Sequence, residues 1–196
     1  EYGQAKNSSQ GWVPLRYAIE NLDGEVVAIA QILTKTLPFF GGIARLNRGP
    51  LLLAEFADPA FENYLEVLQS ILELKQKKRW WLFFIAPEIA SNSIDISKLD
   101  VLGLRLRKTS RWGSSLVNLN SDLDEIVKNL NGKWRNLLRK AQKSDLEVRK
   151  IVVSDPEFEH AMYLYKNMQK EKNFSGVPVD LLRNLGFCKS PASDFN

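Results

Sequence analysis

Glu25-Val26-Val27-Ala28-Ile29-Ala30-Gln31-Ile32-Leu33-Thr34-Lys35-Thr36 is the stretch whose reading decides the fold. It is rich in β-branched residues, which suit a pleated, half-buried surface, and no glycine or proline breaks it. Upstream, Pro14–Glu20 alternates and closes at the turn-like Asn21-Leu22-Asp23-Gly24, so the two runs predict an antiparallel hairpin. Pro38 and Gly41-Gly42 break the second strand. Gly42–Asn47 predicts a third short strand, ending at Arg48-Gly49-Pro50. Asp58-Pro59 then opens a long helix with the proline in its first turn, and Phe61, Leu65, Leu68 and Leu72 mark its buried face. That helix closes in the basic run Lys75–Arg79, where cations complement the carbonyl end of the helix dipole. Trp80–Ala86 is continuously apolar, the pattern of a central strand covered on both faces.

The following residues carry weaker signals. Ser91–Ser97 is polar and reads as loop, while Leu102–Lys108 and Ser115–Leu119 alternate as strands. Ser121 is placed to cap a helix with the stripe Leu123, Ile126, Val127 and Leu130, which Asn131-Gly132 ends. In the next helix, Trp134, Leu137, Leu138 and Ala141 fall at i, i+3, i+4 and i+7, the spacing of one buried stripe. Arg135, Arg139 and Lys143 stack along one flank of it, and Lys133 and Lys140 share the other. No acid interrupts this run before Asp145, whereas a helix charged for solubility mixes both signs. Two readings stay open for the five cations: a solvated basic face, or a surface for an anionic partner. Leu146–Val153 is read as a strand. Glu157–Asn173 is read as an amphipathic helix with Phe158, Ala161, Met162, Tyr165 and Met168 inward. Gly176-Val177-Pro178 leads from there into Val179–Leu185.

At 196 residues, 44% hydrophobic and 26% charged, the chain has globular composition and room for one large domain or a domain plus part of another. Its net charge of +4 is unevenly placed. Lys128–Lys150 holds eight Lys or Arg against two acids, and Glu55–Glu73 holds five acids and no base. Cys188 is the single cysteine, which excludes an intramolecular disulfide and a cysteine-based metal cluster and makes a reduced cytoplasmic setting the expectation. No apolar run approaches the ~18–20 residues that cross a bilayer. No signal peptide is visible, and without an initiator Met more residues are expected upstream. His160, alone on a helix, reads as a packing or surface residue, which argues against zinc chemistry and against Ser–His or Cys–His catalysis. Walker-type and Gly-x-Gly-x-x-Gly loops are missing, and no cofactor is expected. Trp80, Trp81 and Trp112 read as core or cleft wall rather than as platforms for bases.

Several segments together resemble one family. They are Trp112-Gly113-Ser114-Ser115-Leu116-Val117-Asn118-Leu119, the paired helices with Lys133-Trp134-Arg135 and Arg139-Lys140-Ala141, and Leu146-Glu147-Val148. Glu1-Tyr2-Gly3-Gln4-Ala5-Lys6 with Gly11-Trp12, Ala28–Leu33 followed by Arg48-Gly49-Pro50, and Phe174–Leu185 fall in the same order as its other landmarks. The combination is similar to the FemABX peptidyltransferases, aminoacyl-tRNA-dependent enzymes that build peptidoglycan interpeptide bridges. The resemblance implies an α+β, GNAT-like fold (acyl-CoA N-acyltransferase-like): a mixed, mainly antiparallel sheet flanked by helices, in two halves around a cleft. Residues 1–153 would be the first half and 154–196 the opening helices of a second, truncated half.

It further implies transfer of an amino acid from aminoacyl-tRNA to the stem-peptide amine of lipid II or UDP-MurNAc-pentapeptide. The implied partners are aminoacyl-tRNA and that pyrophosphate-bearing precursor, with peripheral contact at the inner membrane face. By the resemblance Lys6 faces the precursor's phosphates. Arg48 lies at a turn near the cleft, with a buried turn ion pair as the equal alternative. Lys133, Arg135, Arg139 and Lys140 contact phosphates or shape the cleft. No general base is assigned, because the family places much of its reacting centre in the second half. One departure is Ala86-Pro87-Glu88 where the family often has Asp-Pro-Glu, which removes a candidate polar contact. Two rival readings are a GNAT-like N-acyltransferase using acyl-CoA or an acyl carrier, which lacks the expected Gly-rich pyrophosphate loop, and an inactive copy acting as a basic binding module.

Overall fold

The computed structural model describes residues 1–39, 41–53, 60–87, 96–107 and 117–187. They divide into two compact units, Glu1–Leu106 with Val152–Asn196, and Arg107–Ile151.

In the larger unit, β1 (Val13–Glu20) and β2 (Val26–Leu37) form the expected hairpin, with Val13 opposite Thr34 and Glu20 opposite Val26. The Asn21 side-chain oxygen accepts from the backbone N–H groups of Asp23 and Glu25 at 3.0 and 2.9 Å, which folds the turn locally. β3 (Gly41–Asn47) runs antiparallel to β2, with Ile32 opposite Leu46. The ladder does not end at Arg48-Gly49-Pro50. It resumes as β4 (Leu51–Leu52), where Ile29 faces Leu51 and Ala28 faces Leu52. From Ile32 to Ile29 β2 advances three residues while its partner advances five, from Leu46 to Leu51, so Arg48–Pro50 is a bulge.

α2 (Ala60–Lys77) carries the chain across the sheet, and β5 (Trp80–Ala86) returns parallel to β3, with Ile43 opposite Leu82. The sheet is therefore mixed and mainly antiparallel, in the order β1-β2-β3-β5 with β4 on β2, and helices flank it. Among the described residues β5 is an edge strand, which corrects the expectation of a central one. A continuous apolar run signals two covered faces, but it carries no information about how many edges are paired. Even the coverage is partial, since Trp81 is 54% exposed.

Strand alternation places Ala28, Ala30 and Ile32 of β2 with Ala44 and Leu46 of β3 on one face, where they pack with Val67 and Ile71 of α2 and with Trp80. The buried side of α2 is Tyr64, Val67, Leu68 and Ile71. Leu65 and Leu72 are only half-buried, so the stripe is rotated from the expected one, and the Phe61 side chain lies outside the described residues. Tyr64 Oη donates to the Gly49 carbonyl at 3.0 Å, tying α2 to the bulge.

The opposite face of the sheet meets α1 (Tyr2–Gln10), a helix that the sequence did not announce. It lacks a side-chain N-cap bond and carries little apolar surface, but Ala5 is fully buried. A Cβ on Gly3 would sit 2.7 Å from both Pro14 Cβ and Gln31 Oε1, so only glycine lets α1 approach the hairpin this closely. α1 also packs on α7 (Val179–Phe187), whose Leu181 is buried. α6 (Pro156–Glu171) joins α7 through Arg183, which donates to both Glu159 oxygens at 3.0 and 2.6 Å.

Three strand expectations change. Ile96–Val101 is a helix, α3, so the loop expected at Ser91–Ser97 is already helical at its end, while residues 91–95 lie outside the described residues. Of the strand expected at Leu102–Lys108, residues 102–107 are not in a strand, and Lys108 lies outside the described residues. Leu102 and Gly103 donate to Leu99 and Asp100 as the end of α3, with Gly103 at φ 72, so the apparent alternation is a helix C-cap. Leu146–Val153 pairs with no strand among the described residues, and the Val152 N–H is satisfied instead by the Asp155 carboxylate at 2.8 Å. Residues 117–119 are not in a strand either, and the rest of Ser115–Leu119 lies outside the described residues, as do Asp58-Pro59, Trp112 and Cys188.

The smaller unit holds α4 (Leu123–Asn129) and α5 (Gly132–Gln142). Asp122, not Ser121, caps α4, accepting from Asp124 N. Asn131 starts a helix rather than stopping one, since its side-chain oxygen accepts from Lys133 N at 3.0 Å. The stripe expected to be buried on α5 is largely open: Trp134 is 66% exposed and Leu137 48%.

Replacing Tyr64 with Phe should cost about 1 kcal/mol in denaturant unfolding, because the enclosed Gly49 carbonyl loses its partner. An unchanged unfolding midpoint would show that this bond adds nothing to the docking of α2.

Candidate anion-binding site

On the face of the sheet turned to α1, strand parity brings out the residues that α2 does not cover. Arg45 lies between Ala44 and Leu46, both fully buried, and so points the other way. In the ladder it is opposite Leu33 on β2 and Phe84 on β5. Its guanidinium carbon lies 5.1 Å from the Trp12 ring centroid and 5.7 Å from that of Phe84, a cation between two aromatic faces. Trp12 reaches this place because Gly11 ends α1 in the left-handed region, at φ 67, with its N–H donated to Asn7 O at 2.8 Å.

Lys6, on α1, approaches from the helix side. Its Nζ donates to Gln10 Oε1 at 2.7 Å and lies 5.7 Å from the Tyr2 ring centroid. Burial lowers its pKa from the ordinary 10.5, and the Arg45 charge pushes it the same way. Neither Lys6 nor Arg45 makes an ion pair with an acid among the described residues. Two cations held together without a counter-ion form a site that an anion would stabilise.

The sequence singled out Lys6 and missed Arg45. A signal was available: Arg45 is the lone charge in Gly41–Asn47, at the parity opposite to Ala44 and Leu46. What it lacked was a reason to prefer one face, which only α1 supplies. Arg48 follows three residues later, at the bulge, with φ 53 and its N–H donated to Ala86 O at 2.8 Å. It shares the β3–β5 end of the sheet with this face, and its side chain is exposed.

The other four predicted residues belong to the smaller unit. Lys133, Arg139 and Lys140 are exposed along α5. Arg135 is half-buried: its Nη2 donates to Leu130 O at 3.1 Å, and its Nε is enclosed without a hydrogen-bond partner. One edge of that guanidinium therefore closes the α4–α5 junction. Among the described residues no three His, Cys, Asp or Glu side chains gather where they could hold a metal ion. No helix among them is long and apolar enough to cross a membrane.

No protein-family model matches the chain, and no curated protein matches it. Among solved structures, the chain is similar to the aminoglycoside antibiotic 6'-N-acetyltransferase AAC(6')-Ih from Acinetobacter baumannii, at 13% identity and a TM-score of 0.32, over 54% of this chain and 71% of that one.

Changing Arg45 to Met should raise the Lys6 pKa toward its ordinary value, read from the pH dependence of amine labelling at Lys6. A lysine whose folded pKa is depressed costs stability while charged, and that cost fades as pH rises through the depressed value. Lys6→Met should therefore leave unfolding at neutral pH unchanged or shift it toward greater stability. Marked destabilisation by Lys6→Met would mean that the ammonium is held by an interaction other than those described.

Proposed function

We propose that the chain is part of an aminoacyltransferase of the peptidoglycan bridge-forming type, acting in the cytoplasm. It would move an amino acid from aminoacyl-tRNA to the stem-peptide amine of lipid II or UDP-MurNAc-pentapeptide. The observation that best supports this reading is the Lys6–Arg45 pair, two cations without an acidic partner, at the position where the resemblance expects the precursor's phosphates. A pyrophosphate placed there relieves the repulsion between them and restores the Lys6 pKa. Arg48, at the bulge beyond Arg45, is proposed to extend the contact along the precursor.

In this reading the tRNA is the second polyanion, and Lys133, Arg139 and Lys140 on α5 meet its backbone, with Arg135 shaping the surface that presents them. The chemistry is aminolysis of an ester. The amine nitrogen bonds to the aminoacyl carbonyl carbon, the bond to the ribose oxygen breaks, and the amine proton leaves for solvent or for that oxygen. Alignment and electrostatics carry most of such a reaction without a covalent enzyme intermediate. The proposal keeps residues 1–153 as the first of two GNAT-like halves and 154–196 as the start of the second.

Incubation of the protein with charged tRNAs and lipid II, read by mass spectrometry, should show one amino-acid addition to the stem peptide. Product from acyl-CoA but from no charged tRNA would transfer the assignment to a CoA-dependent N-acyltransferase.

Replacing Arg139 and Lys140 with Ala should weaken tRNA binding. For every phosphate left without its cation, the plot of log affinity against log salt should also flatten by about 0.7–0.9. Unchanged affinity with an unchanged slope would remove α5 from the tRNA-binding surface.

A further inference from the structure

A second cationic surface lies at the other end of the β3 ladder, and neither of the proposed substrate contacts uses it. The β2–β3 turn and the junction of α2 with β5 meet there around a shallow groove of about 770 Å³ lined by Phe39, Lys75, Arg79, Trp80 and Trp81, among others. A smaller adjoining groove adds Lys35 and Lys78. The base is rigid. Gly42 N–H donates to the Arg79 carbonyl at 3.2 Å, and Gly41, at φ 80, comes so close to that carbonyl that a Cβ would collide with it. On this base Phe39 is fully exposed at φ 66, and Trp81 is 54% exposed.

Helix-end compensation does not account for the charge. The carbonyl end of α2 is worth about half a negative elementary charge, whereas Lys75, Lys77, Lys78 and Arg79 bring four positive ones. Glu73 is the nearest acid in sequence, and none of the four cations makes an ion pair among the described residues. Lys35 adds a fifth cation, its Nζ bonded only to the Gln10 carbonyl at 3.3 Å. Exposed aromatic rings beside unpaired lysines match the headgroup layer of an anionic bilayer. There the rings enter the acyl boundary and the ammoniums stay among the phosphates.

We propose that Pro38-Phe39, at the end of β2, and the Lys75–Trp81 junction form a docking surface for an anionic lipid bilayer, with Phe39 and Trp81 as its inserted residues. A single-stranded nucleic acid fits less well. Stacking platforms hold a ring face against a groove wall, whereas Phe39, on the rim of this shallow groove, is fully exposed.

The test is co-sedimentation of the protein with phosphatidylcholine vesicles, with and without phosphatidylglycerol, alongside Trp emission. Partitioning should require phosphatidylglycerol, weaken as salt rises, and shift Trp emission to the blue. Trp81→Phe should abolish most of that shift. Lys75→Gln with Lys78→Gln should reduce partitioning by about twenty-fivefold, near fivefold per cation. Phe39→Asn keeps a residue that tolerates the left-handed backbone and should reduce partitioning by at least about tenfold. Circular dichroism and thermal midpoints of the variants exclude loss of fold as the cause.

Equal partitioning onto neutral and anionic vesicles, or no effect of either variant, overturns the proposal. Binding of a single-stranded oligonucleotide with no vesicle binding overturns it in favour of nucleic acid. The vesicles carry no peptidoglycan precursor, so this outcome is independent of the transfer assay.

Discussion

The larger unit depends on β3 being paired along both edges, antiparallel to β2 and parallel to β5. A strand locked on both sides cannot rotate, so its alternation becomes a fixed sorting of side chains. Ala44 and Leu46 go to the α2 side and close the core with Ile32 and Ile71. Arg45 goes to the α1 side, where Trp12 and Phe84 take its guanidinium between their rings. A one-residue slip of β3 would bury an arginine against α2 and expose two core residues. The core and the cationic site are thus consequences of one register.

The same strand connects the ends of the unit. At its start, Gly41 and Gly42 lock the β2–β3 turn to Arg79, which presents Phe39 and the lysines of the α2 end. At its finish, the Arg48–Pro50 bulge turns the chain while Tyr64 holds the Gly49 carbonyl. Charge accumulates at both ends and on the face between them, because the apolar alternation along the strand is reserved for α2. Two cationic regions arise from this, the Lys6–Arg45 pair and the Lys75–Arg79 end, and the other unit carries a third on α5. None of them is neutralised by a described acid, and this is the feature that a handler of polyanions needs.

The two classes of site differ in how sequence signals reached them. Lys6 came through resemblance, and its depressed pKa comes from burial and from Arg45, neither of which a local motif displays. The α5 cations were visible as a charge run, but the apolar stripe beside them was expected to be covered and is largely open. Helical periodicity reports that a face is apolar. It does not report that a partner surface of the right size is present.

By itself the sequence determined the β1–β2 hairpin, the third strand, the bounds of β5 within Trp80–Ala86, and the presence of α2, α4, α5 and α6, but not the residues that cap α4 and α5. These rest on contacts within a few residues: alternation, turn side chains, caps and proline. Tertiary structure decided which edge of β5 is paired, that β4 continues the ladder beyond a bulge, and that α1 exists at all. Each of these depends on a partner far along the chain: β3 for β5, β2 for β4, and the hairpin with α7 for α1. A weak helix such as Tyr2–Gln10 forms because Ala5 is buried and Gly3 fits against Pro14 and Gln31, and no local propensity encodes that.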